Sequence, residues 1–439
     1  MKYEITEHVH SQSGEKYFSF RHKSGVSVYI APNGYTTACA IYTADFGGAD
    51  TKFSVDGAVH ETPAGIAHFL EHKLFETEDG GDAFRLFSQL GADSNAFTSH
   101  TATSFTFSCP VDVFCDSLSV LLHFVHTPHF TASSVEKERG IIEEELNMYE
   151  DNPDSRIYYE LMKCLYKNDG IRYDVGGTTD SIKKITADML YFCHSAFYSP
   201  QNMSLVISGG IDPEKVAAVM DGQIPEPAPR RVAKIRPPEP VKAYRKLSRI
   251  NMDVAEPLFS FGIKDLPPGS QTDMRRRSAA LSILCSMLFG ASSEFYCDCY
   301  EKGLISGDTD AGYYYTENNA YLSITGESKR PFAVKRRIIE TIEKALSDGI
   351  DDVEFERMKK VFYASFIYSM QSSSSVAYSL LSFCQLKDDM LKYPDLISGT
   401  DSLTALRCLR ELYDKDRCAF AVVEPFKEDK NVSRNIQRV

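Results

Sequence analysis

The sequence lacks the cysteine and charge patterns that mark several specialised classes of protein. Its eleven cysteines are scattered, odd in number and without a Cys-x-x-Cys pair, so we expect reduced thiols rather than a disulfide framework. Basic residues are fewer than acidic ones, 48 against 61. The resulting net charge of −13 argues against general binding to nucleic acid or to an anionic membrane.

Long apolar stretches are also missing. The N-terminus, Met-Lys-Tyr-Glu-Ile-Thr-Glu-His, has no apolar core region of the kind found in signal peptides, and no stretch approaches the length of a membrane span. We therefore predict a cytoplasmic protein without a membrane partner. The composition, 43% hydrophobic and 25% charged, is that of an ordinary globular protein.

A proline-rich stretch divides the chain. At 439 residues the chain exceeds the size at which a single core stops growing, so more than one domain is expected. The segments Ile224-Pro-Glu-Pro-Ala-Pro and Arg236-Pro-Pro-Glu-Pro place prolines where regular helix or sheet ladders cannot continue. We predict an N-terminal domain over 1–222, a linker over 223–243 and a C-terminal domain over 244–439.

Both halves mix strands with helices. The sequence pattern predicts strands at 26–31, 36–45, 104–108, 204–208, 249–263, 313–325 and 419–423. It predicts helices through much of 113–195 and at 273–288, 332–347 and 352–369. This content indicates an α+β fold with two layers of similar design.

One short motif, His68-Phe-Leu-Glu71-His72, carries most of the chemical information. Positions i and i+4 of a helix lie one above the other, so both histidines can direct a ring nitrogen at one metal ion. Glu71 comes just before the second histidine, whereas the thermolysin-type motif places its glutamate just after the first. This reversed order is that of the inverzincin motif. A helix start at Thr62-Pro63 and a neighbouring apolar stripe favour a buried zinc site over a Glu–His pair on a solvated surface.

Catalytic zinc usually takes a third protein ligand, and the predicted helix over 135–149 offers several glutamates. Among those compared, Glu145 alone has apolar or aromatic residues at all its i±3 and i±4 positions, which are Ile141, Ile142, Met148 and Tyr149. A carboxylate on such a face requires a compensating charge, so we predict Glu145 as the third ligand. Glu138, two turns earlier, is predicted to orient a ligating imidazole. The alternative is an acidic helix with one misplaced glutamate.

These motifs resemble the pitrilysin/insulinase family of zinc metallopeptidases, in particular its short bacterial, YmfH-like branch, which is similar to processing peptidases. The likeness covers most of the chain and is carried by the segments Gly65–His72, Asn95–Thr98 and Glu138–Glu145. It implies two homologous αβ domains that form half of a clamshell. For the site, it implies Zn2+ bound by His68, His72 and Glu145, with Glu71 as general base and Glu138 in support.

The segment 94–99, Ser-Asn-Ala-Phe-Thr-Ser, is β-prone and follows Gly91. An exposed edge strand can accept an extended peptide as an added strand, with main-chain hydrogen bonds supplying the affinity. From the residues alone, an ordinary edge strand is an equal alternative. The resemblance favours substrate binding at Asn95, Ala96 and Phe97.

The sequence departs from the family pattern in its second half. Family members that work alone carry an arginine and a tyrosine there, which hold the substrate carbonyl and the developing oxyanion, whereas this sequence has Tyr300 and Ser306. Each such donor is typically worth on the order of 10²–10³ in rate. A tyrosine within 313–315 could replace the missing tyrosine, but nothing nearby clearly replaces the arginine.

We therefore expect the zinc-carrying subunit of a metalloendopeptidase that cleaves peptides or leader segments in an enclosed chamber. A homologous sister subunit without zinc would supply the arginine and the tyrosine, giving a heterodimer. Two alternatives stay open: a non-catalytic scaffold that retains the fold, and an active homodimer.

Two other clusters of residues have simpler interpretations. Pro128 interrupts the helical spacing of His123, His126 and His129, so they are a poor candidate for a second metal site. A favourable positive charge at a helix C-terminus accounts for them more simply. The run Arg275–Arg277 is expected to point in different directions and to be solvated.

Overall fold

The structure is a computed structural model of the 439-residue chain and describes residues 3–10, 13–78, 80–225, 230–266 and 271–426. Its strands are β1 (Thr6–Val9), β2 (Lys16–Arg21), β3 (Ser27–Ala31), β4 (Thr37–Ala44), β5 (Lys52–Val55), β6 (Ala58–Glu61), β7 (Asp93–Thr98), β8 (Thr103–Pro110), β9 (Met203–Ser208), β10 (Val232–Lys234), β11 (Leu247–Met252), β12 (Leu258–Asp265), β13 (Asp310–Tyr315), β14 (Ala320–Glu327) and β15 (Cys418–Pro425).

The helices fill the connections between these strands. They are α1 (Ile66–Leu74), α2 (Ala83–Gln89), α3 (Phe114–His126), α4 (Ala132–Glu150), α5 (Pro153–Leu165), α6 (Thr179–Ile182), α7 (Ala187–Phe197), α8 (Pro213–Gln223), α9 (Gln271–Phe289), α10 (Glu294–Glu301), α11 (Pro331–Asp348), α12 (Asp352–Ser369), α13 (Ser373–Gln385), α14 (Tyr393–Ser398) and α15 (Ser402–Leu412). The mixed α+β content predicted from the sequence is confirmed.

The first compact unit is built on a seven-stranded sheet in the order β1-β2-β3-β9-β4-β8-β7. Its inner strand β4 is buried at every residue except Thr37, because both faces of the sheet are covered. Alternate residues of β4 belong to the larger core cluster, whereas Cys39 and Ile41 pack with Ala377 and Leu381 of α13. Two-sided burial explains why β4 reads as a nearly continuous apolar run.

The second compact unit contains a five-stranded sheet in the order β11-β15-β12-β14-β13. Helix α5 packs on β15, β12 and β11. Gly262 of β12 allows this close approach, since a Cβ at this position would lie 2.9 Å from Cδ1 of Leu161. The sheet and its helices form a second core of the same general design as the first.

The two sheets share one topology over five strands. In each, a parallel pair (β3–β9 or β11–β15) is followed by three antiparallel pairings, β9-β4-β8-β7 in the first sheet and β15-β12-β14-β13 in the second. The fold is therefore a duplicated αβ domain, as the resemblance implied.

The units are not continuous along the chain. The first comprises Met1–Asn147, Asn168–Pro238 and Lys360–Gly399, and the second Met148–Lys167, Glu239–Lys359 and Thr400–Val439. This division differs from the predicted domains 1–222 and 244–439, because α5 packs with the later strands and α13 with the earlier ones. An amphipathic pattern identifies the face of a helix that is buried, but not the sheet that buries it.

Part of the predicted linker 223–243 forms a strand, contrary to expectation. β10 lies between the two groups of prolines and pairs antiparallel with β5. Lys234 and Arg236 hold it there through the buried carboxylate of Asp50, at 2.9 Å and 2.5 Å. Proline excludes a ladder only where it stands, so the proline-free residues 232–234 remain able to pair.

Within the described residues, one helical stretch, Asp273–Glu301, is long and apolar enough to cross a membrane by length and composition, although the sequence analysis expected none. Its first part, α9, packs against β13 and α15. Arg277 of α9 is buried and donates to both carboxylate oxygens of Asp265, at 2.6 Å and 3.1 Å. These contacts are those of a core helix, and the prediction that Arg277 is solvated is wrong.

Candidate metal centre

The motif helix α1 begins later than the sequence suggested. The predicted start at Thr62-Pro63 is wrong, because the chain turns at Gly65, which has a φ of 88°, and the helix begins at Ile66. A Cβ at position 65 would lie 2.2 Å from the carbonyl oxygen of Gly176. Glycine is therefore required at this position twice over, for the left-handed backbone and for the close approach.

The loop 174–178 packs against both helices of the candidate metal site, α1 and α4. A Cβ at Gly177 would lie 2.5 Å from the carbonyl oxygen of Ala64, and a Cβ at Gly176 would lie 2.8 Å from Leu146 of α4 and 3.5 Å from Nδ1 of His68. The loop thus packs at once against the start of α1 and against the part of α4 that carries Glu145. It fixes the separation of the two helices that supply the candidate ligands.

The structure brings together His68, His72 and Glu145, which offer ligand atoms that all lie within 4.8 Å of one another. Glu145 Oε1 is 3.7 Å from His68 Nε2, and Glu145 Oε2 is 3.3 Å from His72 Nε2. The two imidazole rings are 4.6 Å apart and inclined at 70°. This is the geometry expected of histidines one helical turn apart that face a carboxylate on a second helix.

Glu138 contacts the outer nitrogen of one imidazole. Its Oε1 lies 3.0 Å from His72 Nδ1. Burial alone would lower the pKa of His72, but the hydrogen bonds to Glu138 and Glu145 outweigh it and raise the pKa to about 9. Without a metal, His72 is therefore held as the imidazolium between two carboxylates.

His68 is held in the opposite protonation state. Burial, followed by the neighbouring charge of His72, lowers the pKa of His68 to about 4. Its Nδ1 is buried without a hydrogen-bond partner among the described residues. A neutral imidazole presents a lone pair, which is the form that a metal ion binds.

The donor set fits zinc. Two imidazole nitrogens and one glutamate oxygen are the ligands of known catalytic zinc sites, which keep a further position open. Charge also favours a cation here, because the carboxyl groups of Glu71, Glu138 and Glu145 all interact with the imidazole of His72.

Glu71 lies beside this group but is turned towards the sheet. The residue is only 7% exposed, and its Oε2 accepts a hydrogen bond of 2.5 Å from the hydroxyl of Thr98. Burial raises the pKa of Glu71, while Thr98 and His72 oppose this effect. The carboxyl group is therefore prepared to take up a proton more readily than an exposed glutamate.

The expectation that Glu145 lies on a buried apolar face is wrong in part. Of its apolar neighbours, Ile141 is 48%, Met148 60% and Tyr149 41% exposed. The buried residues of α4 are Val135, Ile142 and Leu146. Glu145 lies at the border of the buried stripe, where a side chain can reach the histidines and still contact solvent.

Asn95, Ala96 and Phe97 lie on β7, which pairs only with β8 in the described part of the chain and is thus an edge strand, as predicted. Helix α1 packs against this strand. The ring of Phe97 lies 5.8 Å from that of Tyr378 on α13. The edge strand and the candidate metal centre are therefore neighbours, joined by the contact between Thr98 and Glu71.

The tyrosines considered as oxyanion donors are occupied or exposed. Tyr313 is buried and donates to Asp265 at 2.7 Å, within the same network as Arg277. Tyr300 is 58% exposed on α10, and the hydroxyl of Ser306 is bound to Glu256. The hydroxyl of Tyr313 is therefore already engaged, and the suggestion that a tyrosine within 313–315 replaces the missing one stays a prediction.

His126 of the second histidine cluster is a buried residue with a tyrosine partner. His126 Nε2 lies 2.8 Å from the hydroxyl of Tyr42. Burial, followed by the neighbouring His194, lowers the pKa of His126 to about 3, so the residue is neutral. The interpretation of a positive charge at the end of α3 is wrong for this histidine.

Thr98 and Gly176 contact the site but were not identified from the sequence. Thr98 lies within the segment 94–99 but was given no role there, although its place on the predicted edge strand was a usable signal. Gly176 belongs to the dipeptide Gly176-Gly177, and paired glycines indicate a tight backbone approach. What the sequence could not supply was the partner of either residue.

The chain matches the models of two domains of one protein family. The model of the family described as Insulinase (Peptidase family M16) matches residues 55–179, and the model described as Peptidase M16 inactive domain matches residues 184–362. The uncharacterised zinc protease YmfH of Bacillus subtilis is 34% identical over 90% of this chain and 92% of its own. The uncharacterised zinc protease YmxG of the same organism is 26% identical over 73% and 78%.

Solved structures show the same fold. An M16-like peptidase from Alicyclobacillus acidocaldarius superposes with a TM-score of 0.88 at 28% identity, covering 97% of this chain and 99% of that one. Pitrilysin superposes with a TM-score of 0.75 at 14% identity, covering 96% of this chain and 46% of the pitrilysin chain. With both family models matched and YmfH more than 30% identical along most of its length, the chain belongs to the insulinase family of peptidases, M16.

Proposed function

We propose that this chain is a zinc-dependent metalloendopeptidase in which His68, His72 and Glu145 hold the metal and Glu71 is the general base. The observation that carries the proposal is the convergence of three ligand atoms within 4.8 Å, with a buried carboxyl group beside them. The name zinc protease given to the relatives YmfH and YmxG supports the same chemistry.

Zinc bound by these residues would lower the pKa of a water molecule towards neutrality and polarise the scissile carbonyl. Glu71 takes the proton of the attacking water and passes it to the leaving amine. Its raised pKa suits both steps, because a carboxyl group that protonates more easily is a better acceptor and can later act as a donor. Glu138 keeps the ring of His72 oriented through the 3.0 Å contact.

The substrate is a peptide that adds to the edge strand at Asn95, Ala96 and Phe97. Main-chain pairing makes few demands on the sequence of the peptide, so it suits an enzyme that accepts several peptides or leader segments. We place this activity in the cytoplasm and inside a closed chamber that admits short or unfolded segments.

A homologous sister subunit completes the active site by supplying an arginine and a tyrosine. The local reason is that Tyr313 is occupied by Asp265 and that neither Tyr300 nor Ser306 has the chemistry of an arginine. The loss of each hydrogen-bond donor to the oxyanion lowers the rate by on the order of 10²–10³.

Peptide hydrolysis by the purified chain tests this proposal, alone and mixed with a homologous chain that has the arginine and tyrosine but no His-x-x-Glu-His motif. We expect bound zinc, slow hydrolysis alone, and fast hydrolysis after mixing that a chelator stops and added zinc restores. Full activity without a partner would overturn the sister subunit and favour a homodimer. A zinc-loaded chain that stays inactive in every mixture would favour a scaffold.

A further inference from the structure

The end of the edge strand is joined directly to the candidate general base. Thr98, the last residue of β7, places its hydroxyl 2.5 Å from Oε2 of Glu71. Glu71 is only 7% exposed, so this hydrogen bond is weakened little by solvent. The strand proposed to receive the peptide therefore ends at the carboxyl group proposed as the general base.

A second hydroxyl fixes the direction of this hydrogen bond. Thr103 of β8 is fully buried and donates to the carbonyl oxygen of Phe46 at 2.8 Å. Its oxygen lies 3.2 Å from the Thr98 hydroxyl. A carbonyl oxygen can only accept, and each hydroxyl carries one proton. The proton of Thr103 is thus committed to Phe46, and that of Thr98 is left for Glu71.

The backbone on both sides of Thr98 is held by hydrogen bonds. Thr98 is the Cα partner of Thr103 in the β7–β8 ladder. In the turn that follows, the Ser99 hydroxyl donates to the carbonyl oxygen of Ala102 at 3.1 Å, and Gly48 donates to the carbonyl oxygen of Ser99 at 2.9 Å. The end of the strand is therefore held by several hydrogen bonds, while residues 95–97 pair only with β8 among the described strands.

We propose that Thr98 is a positioning residue that sets the orientation of the Glu71 carboxyl group relative to a peptide paired with β7. The proposal rests on the function proposed above. The peptide and Glu71 are aligned by the same strand, so the register of pairing also fixes the place of the scissile bond. Displacing a catalytic group by about 1 Å can cost on the order of 10²-fold in rate, so a lost contact affects turnover more than binding.

The test compares Thr98→Val with Thr98→Ser in the zinc-loaded chain, assayed with its sister subunit. The substrate is an internally quenched peptide long enough to pair with all of β7. We expect Thr98→Val to lower kcat by roughly 10- to 100-fold with KM changed less than about threefold. Thr98→Ser keeps the hydroxyl and should recover most of the loss.

Thr43→Val is the matched control. Thr43 lies in the same sheet and shares a hydrogen bond of 2.8 Å with Ser104, so the change removes a buried hydroxyl whose partner is Ser104 and not Glu71. We expect kcat close to wild type for this variant, even if its thermal midpoint falls.

Two readouts do not depend on turnover. Zinc content should be equal in wild type, Thr98→Val and Thr98→Ser, and binding of the uncleaved peptide to the metal-free proteins, followed by fluorescence anisotropy, should also be equal. Thr98→Val with wild-type kcat, Thr98→Ser as slow as Thr98→Val, or a loss confined to KM would each overturn the positioning role alone. A wild-type chain that neither binds zinc nor cleaves would overturn the proposed function together with it.

Discussion

The pKa values of two imidazoles one helical turn apart are shifted in opposite directions in the metal-free protein. Burial lowers the pKa of His68 to about 4, whereas Glu138 and Glu145 raise that of His72 to about 9 against the effect of burial. One ligand is therefore ready for a metal at neutral pH and the other must first lose a proton. The residue scale thus sets the pH dependence of metal binding.

Zinc affinity is expected to rise with pH up to about 9. His72 of the metal-free protein binds a proton below that pH, and zinc must displace it, so the apparent affinity should rise by up to about tenfold per pH unit. The stability of the metal-free protein has the opposite pH dependence. Because the folded-state pKa of His72 is raised, this histidine stabilises the fold below its pKa in the unfolded chain, and the contribution is lost as the pH rises through about 9. Competition with a chelator between pH 6 and 9 measures the slope, and a flat profile would contradict the assignment to His72.

Removing Glu138 should weaken zinc binding without removing a ligand. Glu138→Ala leaves His72 Nδ1 without its partner at 3.0 Å, and such contacts typically contribute about 10- to 100-fold in affinity. The measurement is the zinc dissociation constant above pH about 9, where proton competition is absent. Glu136→Ala is the control, because Glu136 is exposed on the same helix and pairs with Arg139 instead.

Residue-level chemistry was predictable from the sequence to different depths. His68 and His72 followed from helical spacing alone, since i and i+4 must share a face. Glu145 was identified through neighbours that are in fact largely exposed, so the residue is placed at the site although the burial argument fails. Thr98 could not be paired with Glu71, because a contact between a strand end and a helix depends on packing.

At the scale of elements, glycine contacts decide where the motif helix begins. Gly65 and Gly176 cross with their backbones in contact, and the same loop packs against α4. Proline at position 63 suggested an earlier start because proline is favoured in the first helical turn. The left-handed turn at Gly65 overrode that preference.

Gly65→Ala should destabilise the protein and the metal centre together. A Cβ would meet the Gly176 oxygen at 2.2 Å in a backbone conformation with φ of 88°, at a cost of about 2 kcal/mol or more. We expect a lower unfolding midpoint in urea and weaker zinc binding.

Gly140→Ala is the matched control for that prediction. Gly140 is exposed within α4, and nothing lies within 4 Å of a Cβ built there, so alanine should stabilise the helix by up to about 1 kcal/mol. If both variants shifted the unfolding midpoint in the same direction, the claim that close packing of loop 174–178 requires glycine at position 65 would be refuted.

At the scale of the whole molecule, the duplication was visible in the sequence but the exchange of helices was not. Strands and helices recur in both halves, and the two sheets share a five-strand topology. Helices α5 and α13 each pack on the sheet of the other half of the sequence. Their apolar stripes showed that they are buried, and only tertiary packing decides against which strands.

A buried polar network joins three elements of the second unit. In the second unit, Asp265, Arg277 and Tyr313 join β12, α9 and β13 through a buried ion pair and a hydroxyl. Arg277→Ala should therefore destabilise that unit by about 3–5 kcal/mol, because the carboxylate of Asp265 would remain buried without its main partner. Urea unfolding of the full chain measures the loss, and a change below about 1 kcal/mol would show that the network is dispensable.

The most direct test of the account combines zinc content with peptide hydrolysis in the wild-type chain, Glu71→Gln and Glu145→Gln, each with the sister subunit present. We predict stoichiometric zinc in wild type and Glu71→Gln, hydrolysis lowered by about 10²–10⁴ in Glu71→Gln, and zinc largely lost from Glu145→Gln. The assignment of this site would be contradicted by a wild-type chain that binds no zinc, either as purified or after zinc is added. It would also be contradicted by a Glu71→Gln variant that cleaves at the wild-type rate.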